Sequence, residues 1–227
     1  MTIKLNFGNI KIKRCGVSLI TKIYKRELLE TKQNEESENG FDYKFIVNKI
    51  FIEISKQNTN YISLSLSLSR LNRLLVLVDI AYRQKNGKPL IKDEYRIWHK
   101  GLVVHKLYSH YMYQINEKEL RKYEKSYQES IESSIDNDVN NEINELVSMV
   151  VNSTGFIDSV DLIELLKNNE LQTFVEPNDI TDRKNAVSHK FVTEFYKDFD
   201  FNKLKELNER EKEKFLGVED EFSSKNN

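Results

Sequence analysis

The stretch YISLSLSLSRLNRLLVLVDIAYRQ, residues 61–84, decides the fold, because its first half alternates like a strand and its second half does not. Read at helical spacing, Leu64, Leu68, Leu71, Leu75, Val78 and Tyr82 advance by four and three residues in turn, which places them on one helix face. The serines at 63, 65 and 67 all suit an N-cap, and Arg70, Asn72 and Arg73 are expected on the polar side. The helix is therefore secure over 67–84, while 61–66 stays open between its first turn and an extended lead-in. Asn86-Gly87 provides a left-handed stop and Pro89 discourages resumption.

Upstream, TIKLNFGNIKIKR (2–14) alternates with period two around Gly8-Asn9, a β-hairpin pattern that pairs Phe7 with Ile10 and Leu5 with Ile12. A short helix is expected over 17–29, a polar surface loop over 31–40, and a second helix over 45–55 with Ile46, Ile50 and Ile54 as its buried row. Downstream, Asp158 is placed to cap a helix over 159–167 whose Val160, Ile163 and Leu166 face the core. From Asn202 the chain reads as an exposed helix with opposite-charge pairs such as Glu206 with Arg210, fraying after Gly217. The fold class is mainly α (α+β), a compact helical domain with an N-terminal hairpin. Three parts follow: 1–44 as hairpin and helix extension, 45–200 as the helical body, and 201–227 as a charged helix and tail.

Seven glycines and two prolines in 227 residues suit helices better than a turn-rich β fold, and 39% apolar content is enough for a core. Lone Cys15 cannot form an internal disulfide, no apolar run approaches the roughly 18–20 residues of a membrane span, and the polar start lacks a signal-peptide block. A cytoplasmic protein with no membrane contact is expected. The near-neutral total, 35 basic against 36 acidic residues, hides a segregation. Residues 1–26 carry seven bases and no acid, 83–125 carry eleven bases and five acids, and 129–182 carry thirteen acids and one base. Opposed fields of this kind steer a charged partner or attract two parts of one fold.

RLNRLLVLV (70–78) and NGKPLIKDEYRIWHKGLVVHKLY (86–108) resemble the Panacea domain, the family of SocA-like antitoxins and phage-associated proteins. The likeness rests on Leu71, Leu74, Leu75, Gly87, Lys88, Pro89, Leu90, Glu94, Trp98, Gly101, Val103, Val104 and Tyr108, with STGFIDSVDLIELL (153–166) and VSHKFVTEFY (187–196) resembling later helices of the family. Leu102 stands where the family usually has proline, Ile97 where alanine is common, and Val76 where an aromatic is frequent. The resemblance implies a non-enzymatic protein-binding module, encoded by a phage or mobile element, that neutralises a toxin or host factor by direct binding.

Each of these residues also has a plain structural reading. Trp98, the only tryptophan, fits a core anchor whose indole nitrogen finds a backbone acceptor. Gly87 and Gly101 fit backbone turns, and Val103, Val104, Leu107 and Tyr108 a buried helix start. The surface candidate is the rim, where Arg96, His99, Lys100, His105 and Lys106 surround the tryptophan turn with positive charge. The alternative function is nucleic-acid binding through the bases between residues 70 and 125, interleaved with Tyr108, Tyr111 and Tyr113. Against it stand a pI near 6.5 and the acidic span.

No nucleophile with its base, phosphate loop or metal set is evident, and no cofactor is expected. His99, His105 and His110 are spaced by six and five, which puts no pair at i, i+4, and no second cysteine completes a zinc site. Asp136, Asp138 and Glu142 resemble a cation loop, but without its central glycine and terminal glutamate.

Overall fold

The computed structural model describes residues 40–56, 67–98, 101–111, 136–166 and 186–225. The hairpin expected at 2–14, the helix at 17–29, the loop over 31–39, the lead-in at 61–66, and His99, Lys100 and Tyr113 lie outside these residues. Among the described residues the order is α1 (Tyr43–Lys56), α2 (Leu68–Asn86), β1 (Tyr95–Trp98), β2 (Gly101–Val104), α3 (His105–Tyr111), α4 (Asn137–Asn152), α5 (Ser159–Leu166), β3 (Ala186–Val187), α6 (His189–Phe195) and α7 (Phe201–Lys225). The chain is mainly helical with a small three-stranded antiparallel sheet in the order β2-β1-β3.

Helix α2 begins where the serine ladder ends: Ser67 accepts a hydrogen bond from the Arg70 amide. It closes at Gly87, which has φ 68° and donates its amide to the Arg83 carbonyl. Adding a side chain at Gly87 meets open space, so Gly87→Ala should cost only the left-handed backbone strain, about 1 kcal/mol, read as a shift in the urea midpoint.

Between its caps α2 is buried all round, from Arg70 through Arg83. The run LLVLV (74–78) explains this, since apolar residues at successive positions cover every side of a helix. Helices α1, α4, α5 and α6 and strand β2 pack about it. The core gathers Ile46 and Ile50 of α1, Leu102 and Val104 of β2, Ile143, Val147 and Val150 of α4, Leu162 and Leu166 of α5, and Phe191 and Val192 of α6. It reaches Leu204 in α7. Truncating a fully buried leucine such as Leu75 to alanine should cost about 2–5 kcal/mol.

The polar residues of α2 are not on a solvent side, as their spacing suggested. Arg70, Asn72 and Arg73 are all buried. The reason is backbone chemistry: irregular segments pack on this helix, and their carbonyls and amides need partners away from water. Arg70 donates to the carbonyls of Thr154 and Ile157 in the α4–α5 turn, at 2.7 and 2.6 Å. Asn72 donates to the Leu102 carbonyl and accepts the Val104 amide, and Arg73 also donates to Leu102. Gln84 donates to the carbonyls of Tyr196, Lys197 and Phe199 after α6.

The densest joint is at Asp79. Its carboxylate accepts the amides of Leu90 and Ile91, the Tyr95 hydroxyl at 2.8 Å and Arg83 Nε at 2.6 Å. Arg83 in turn donates to the His189 carbonyl, the Thr193 hydroxyl and His189 Nδ1, so that one ion pair fastens α6 to α2. Because guanidinium only donates, Nδ1 accepts here and the ring proton of neutral His189 sits on Nε2.

Burial, reinforced by the Asp79 carboxylate, pushes the Tyr95 hydroxyl well above its ordinary range, and burial also raises Tyr196, whose hydroxyl donates to the Leu166 carbonyl. The folded chain keeps these protons at pH values where the unfolded chain releases them. Their contribution is thus complete below about pH 10 and is lost as pH rises beyond it. The urea midpoint should fall between pH 8.5 and 11, and Tyr95→Phe should flatten that fall; an unchanged slope in the variant would assign the effect elsewhere.

Other expectations need correction. Val103 and Val104 form strand β2, not a helix start; the hairpin Tyr95–Trp98 with Gly101–Val104 was hidden because β2 is buried at every position and shows no alternation. In α5, Asp158 caps as expected, accepting the amides of Val160 and Asp161. Leu166 also turns inward as expected, but Leu162 joins it in the core while Val160 is 64% exposed and Ile163 is only half-buried. Helix α7 runs through Gly217 to Lys225, and Arg210 pairs with Glu211 rather than Glu206. It is not wholly exposed either, because Leu204 and Asn208 are buried. Asn208 accepts the Phe156 amide and donates to the Asn152 carbonyl, which ties α7 to the end of α4.

Candidate partner-binding rim

Strand β1 alternates buried and half-buried residues, so Tyr95 and Ile97 enter the core while Arg96 and Trp98 point to the other face of the sheet. Across the ladder Arg96 stands opposite Val103 and Trp98 opposite Gly101. Gly101 has φ 94°, a conformation glycine adopts without strain, and it presents no side chain beside the indole. Tyr108 of α3 fills the other flank: the Trp98 and Tyr108 rings lie 4.8 Å apart, tilted by 54°. Both rings are half-buried. Trp98 is therefore not the fully buried anchor its rarity suggested, and its Nε1 has no hydrogen-bond acceptor.

The charges around this pair are not free. Arg96 Nε meets Glu94 at 2.6 Å. Lys106 Nζ forms a close ion pair with Asp93 Oδ1 at 2.7 Å, while Asp93 Oδ2 accepts the Tyr43 amide. The Asp93 side chain is fully inaccessible, whereas that of Lys106 is 62% exposed. Interaction with Asp93 raises the Lys106 pKa. His105, whose amide donates to the Glu94 carbonyl, has its pKa lowered by partial burial and then by Arg96. The expected positive rim is accordingly a neutralised one at Arg96 and Lys106. Asp93 and Glu94, adjacent in sequence to the strand, are the residues whose role had gone unread.

The structure pairs Trp98 with Tyr108 at the turn end of the hairpin, where Gly101 stands opposite Trp98. Lys106, on Asp93, lies toward the other end of β1, with Arg96 on Glu94 and opposite Val103, and with His105 close to both Arg96 and Glu94. Gly87 and Pro89 sit away from the rim, in the α2–β1 connection; this segment is held by Asp79 and by the Phe41 link, in which the Phe41 amide donates to Leu90 and the Lys92 amide to Phe41. Part of the charge segregation is used internally, since Lys85 and Asn86 at the end of α2 both bond Glu142 of α4. Asp136 caps α4 through the Asp138 amide. Among the described residues no cluster of three or more His, Cys, Asp or Glu is placed to hold a metal, and no helix is long and apolar enough to cross a membrane.

No family model, curated protein or solved structure matches this chain.

Proposed function

We propose that this protein is a non-enzymatic binding module, resembling an antitoxin, that neutralises a partner protein by covering part of its surface. The observation that supports this best is the tilted, half-exposed pair of Trp98, from the short hairpin, and Tyr108, from α3. Half-exposed aromatic residues held on regular backbone are a usual source of binding energy in protein interfaces. The resemblance of residues 70–108 to Panacea antitoxins supports the same reading and gives it its toxin or host-factor partner.

The test is to express the neighbouring gene with and without this one. Lethality of the neighbour alone and rescue by this chain is the expected result, and a harmless neighbour removes the toxin-neutralising reading. Trp98→Ala with Tyr108→Ala should weaken the complex by about 2 kcal/mol or more, roughly 30-fold in Kd by titration calorimetry, while the thermal midpoint of the free protein certifies the fold.

Nucleic-acid binding is the second reading, and the described bases between 70 and 111 lend it little support, although Lys88 and Lys92 are exposed. Arg70, Arg73 and Arg83 are buried on backbone carbonyls and Asp79, while Lys85, Arg96 and Lys106 face carboxylates. Phosphate neutralisation requires cations at the surface. Salt-dependent retention on duplex or single-stranded DNA would restore this alternative.

A further inference from the structure

The Trp98 indole holds a donor that nothing satisfies. Its Nε1 is shielded from water and has no hydrogen-bond acceptor, although the residue as a whole is half-buried. The carboxylates just upstream are engaged elsewhere, Glu94 with Arg96, and Asp93 with Lys106 and the Tyr43 amide. A donor shielded without a partner forfeits the bond it would make with water, which works against the present position of the ring. What favours that position is Tyr108, whose ring centroid lies 4.8 Å away with the planes tilted by 54°. An aromatic pair of this kind and an orphaned donor carry free energies of the same order and opposite sign. The side chain stands on the half-buried face of β1, and Gly101 across the ladder has no side chain to pin it.

We propose that Trp98 is a latch, whose indole alternates between the closed position on Tyr108 and an open one in which its N–H meets an oxygen acceptor. In the free chain that acceptor is water, and in a complex it is a backbone or carboxylate oxygen of the partner protein. Because the opposing terms nearly balance, the open form is a minor state of roughly 1–10%. Opening bares both faces of the indole and the Tyr108 ring beneath it, so a partner that supplies the acceptor gains the aromatic surface with it. The core does not move, since Tyr95 and Ile97, which alternate with Trp98 along β1, stay inside.

The test is hydrogen exchange on the full chain labelled with nitrogen-15, in which the single tryptophan gives a single indole N–H resonance. That proton should exchange roughly 10- to 100-fold more slowly than in N-acetyltryptophanamide, the inverse of the open fraction. The amide of buried Val104, bonded to Asn72, should be slower by further orders of magnitude. Urea below the unfolding transition should leave the indole rate unchanged while quickening Val104, because opening the latch exposes little surface. Tyr108→Leu, at urea concentrations where the variant is fully folded, should speed the indole proton several-fold. Exchange of the indole at the Val104 rate with the same urea response, exchange as fast as in N-acetyltryptophanamide, or indifference to Tyr108→Leu would each overturn the latch. Its use by a partner rests on the binding-module reading, but its opening is measured on the free chain, so failure of this test and failure of the rescue experiment are separate results.

Discussion

Asp79→Ala should be close to unfolding the protein. The substitution strips four donors of their acceptor at once: the amides of Leu90 and Ile91, the Tyr95 hydroxyl and Arg83 Nε. The Arg83 side chain is 2% exposed and the Asp79 side chain 0%, so the guanidinium would be left in the interior without its counter-charge. Breaking a buried pair from one side costs about 3–5 kcal/mol, and orphaned buried amides add to it. Against a typical total of about 5–15 kcal/mol, urea unfolding should show a midpoint collapse or no folded baseline. Replacing both members, Asp79→Ala with Arg83→Met, should recover part of the loss because the stranded cation is gone. A double variant no more stable than Asp79→Ala would mean that the amide contacts dominate, not the charge.

Gly40→Ala should be the second large effect, and for a purely steric reason. A Cβ there would lie 2.6 Å from the Lys92 nitrogen, 2.9 Å from the Ile91 carbonyl carbon and 3.1 Å from the Leu90 oxygen. All three are backbone atoms, which cannot swing aside as a side-chain end can. The methyl must therefore separate the Phe41 segment from the Ile91 segment and stretch the hydrogen bonds between Phe41 and both Leu90 and Lys92. Overpacking with loss of two such bonds amounts to about 2–4 kcal/mol, several times the cost at Gly87. Equal urea midpoints for Gly40→Ala and Gly87→Ala would refute this account.

The leucine spacing gave the central helix, its Ser67 start and its Gly87 stop, because those features depend on neighbours within a turn. What spacing concealed was the destination of the polar residues on that helix. Arg70, Asn72 and Arg73 look like a wet face when only the helix is considered, since their partners are backbone groups 29 to 87 residues away. The α5 face was only partly read, right at Leu166 and wrong at Val160, for a related reason. With three leucines and an isoleucine in eight residues, more than one stripe is apolar, and packing against α2 selects Leu162 together with Leu166. At the rim, Trp98 and Tyr108 were found as residues but not as a pair, and the charges were read without Asp93 and Glu94. Ion pairing across a strand–helix junction has no periodic signal.

Lys106 carries a practical warning for mutagenesis of the rim. Its removal leaves Asp93 inaccessible and without its lysine, so a loss of partner affinity in Lys106→Ala would mix contact loss with loosening of the α1 start at Tyr43. Trp98 and Tyr108 do not share this ambiguity.

The carboxamide of Asn72 meets two backbone groups of β2, taking the Val104 amide and supplying a donor to the Leu102 carbonyl. An incoming extended peptide would find those hydrogen-bonding positions already taken. That border of the sheet is thus blocked at Leu102 and Val104 against extension by foreign strands, and with it against the edge-to-edge stacking that seeds fibrils.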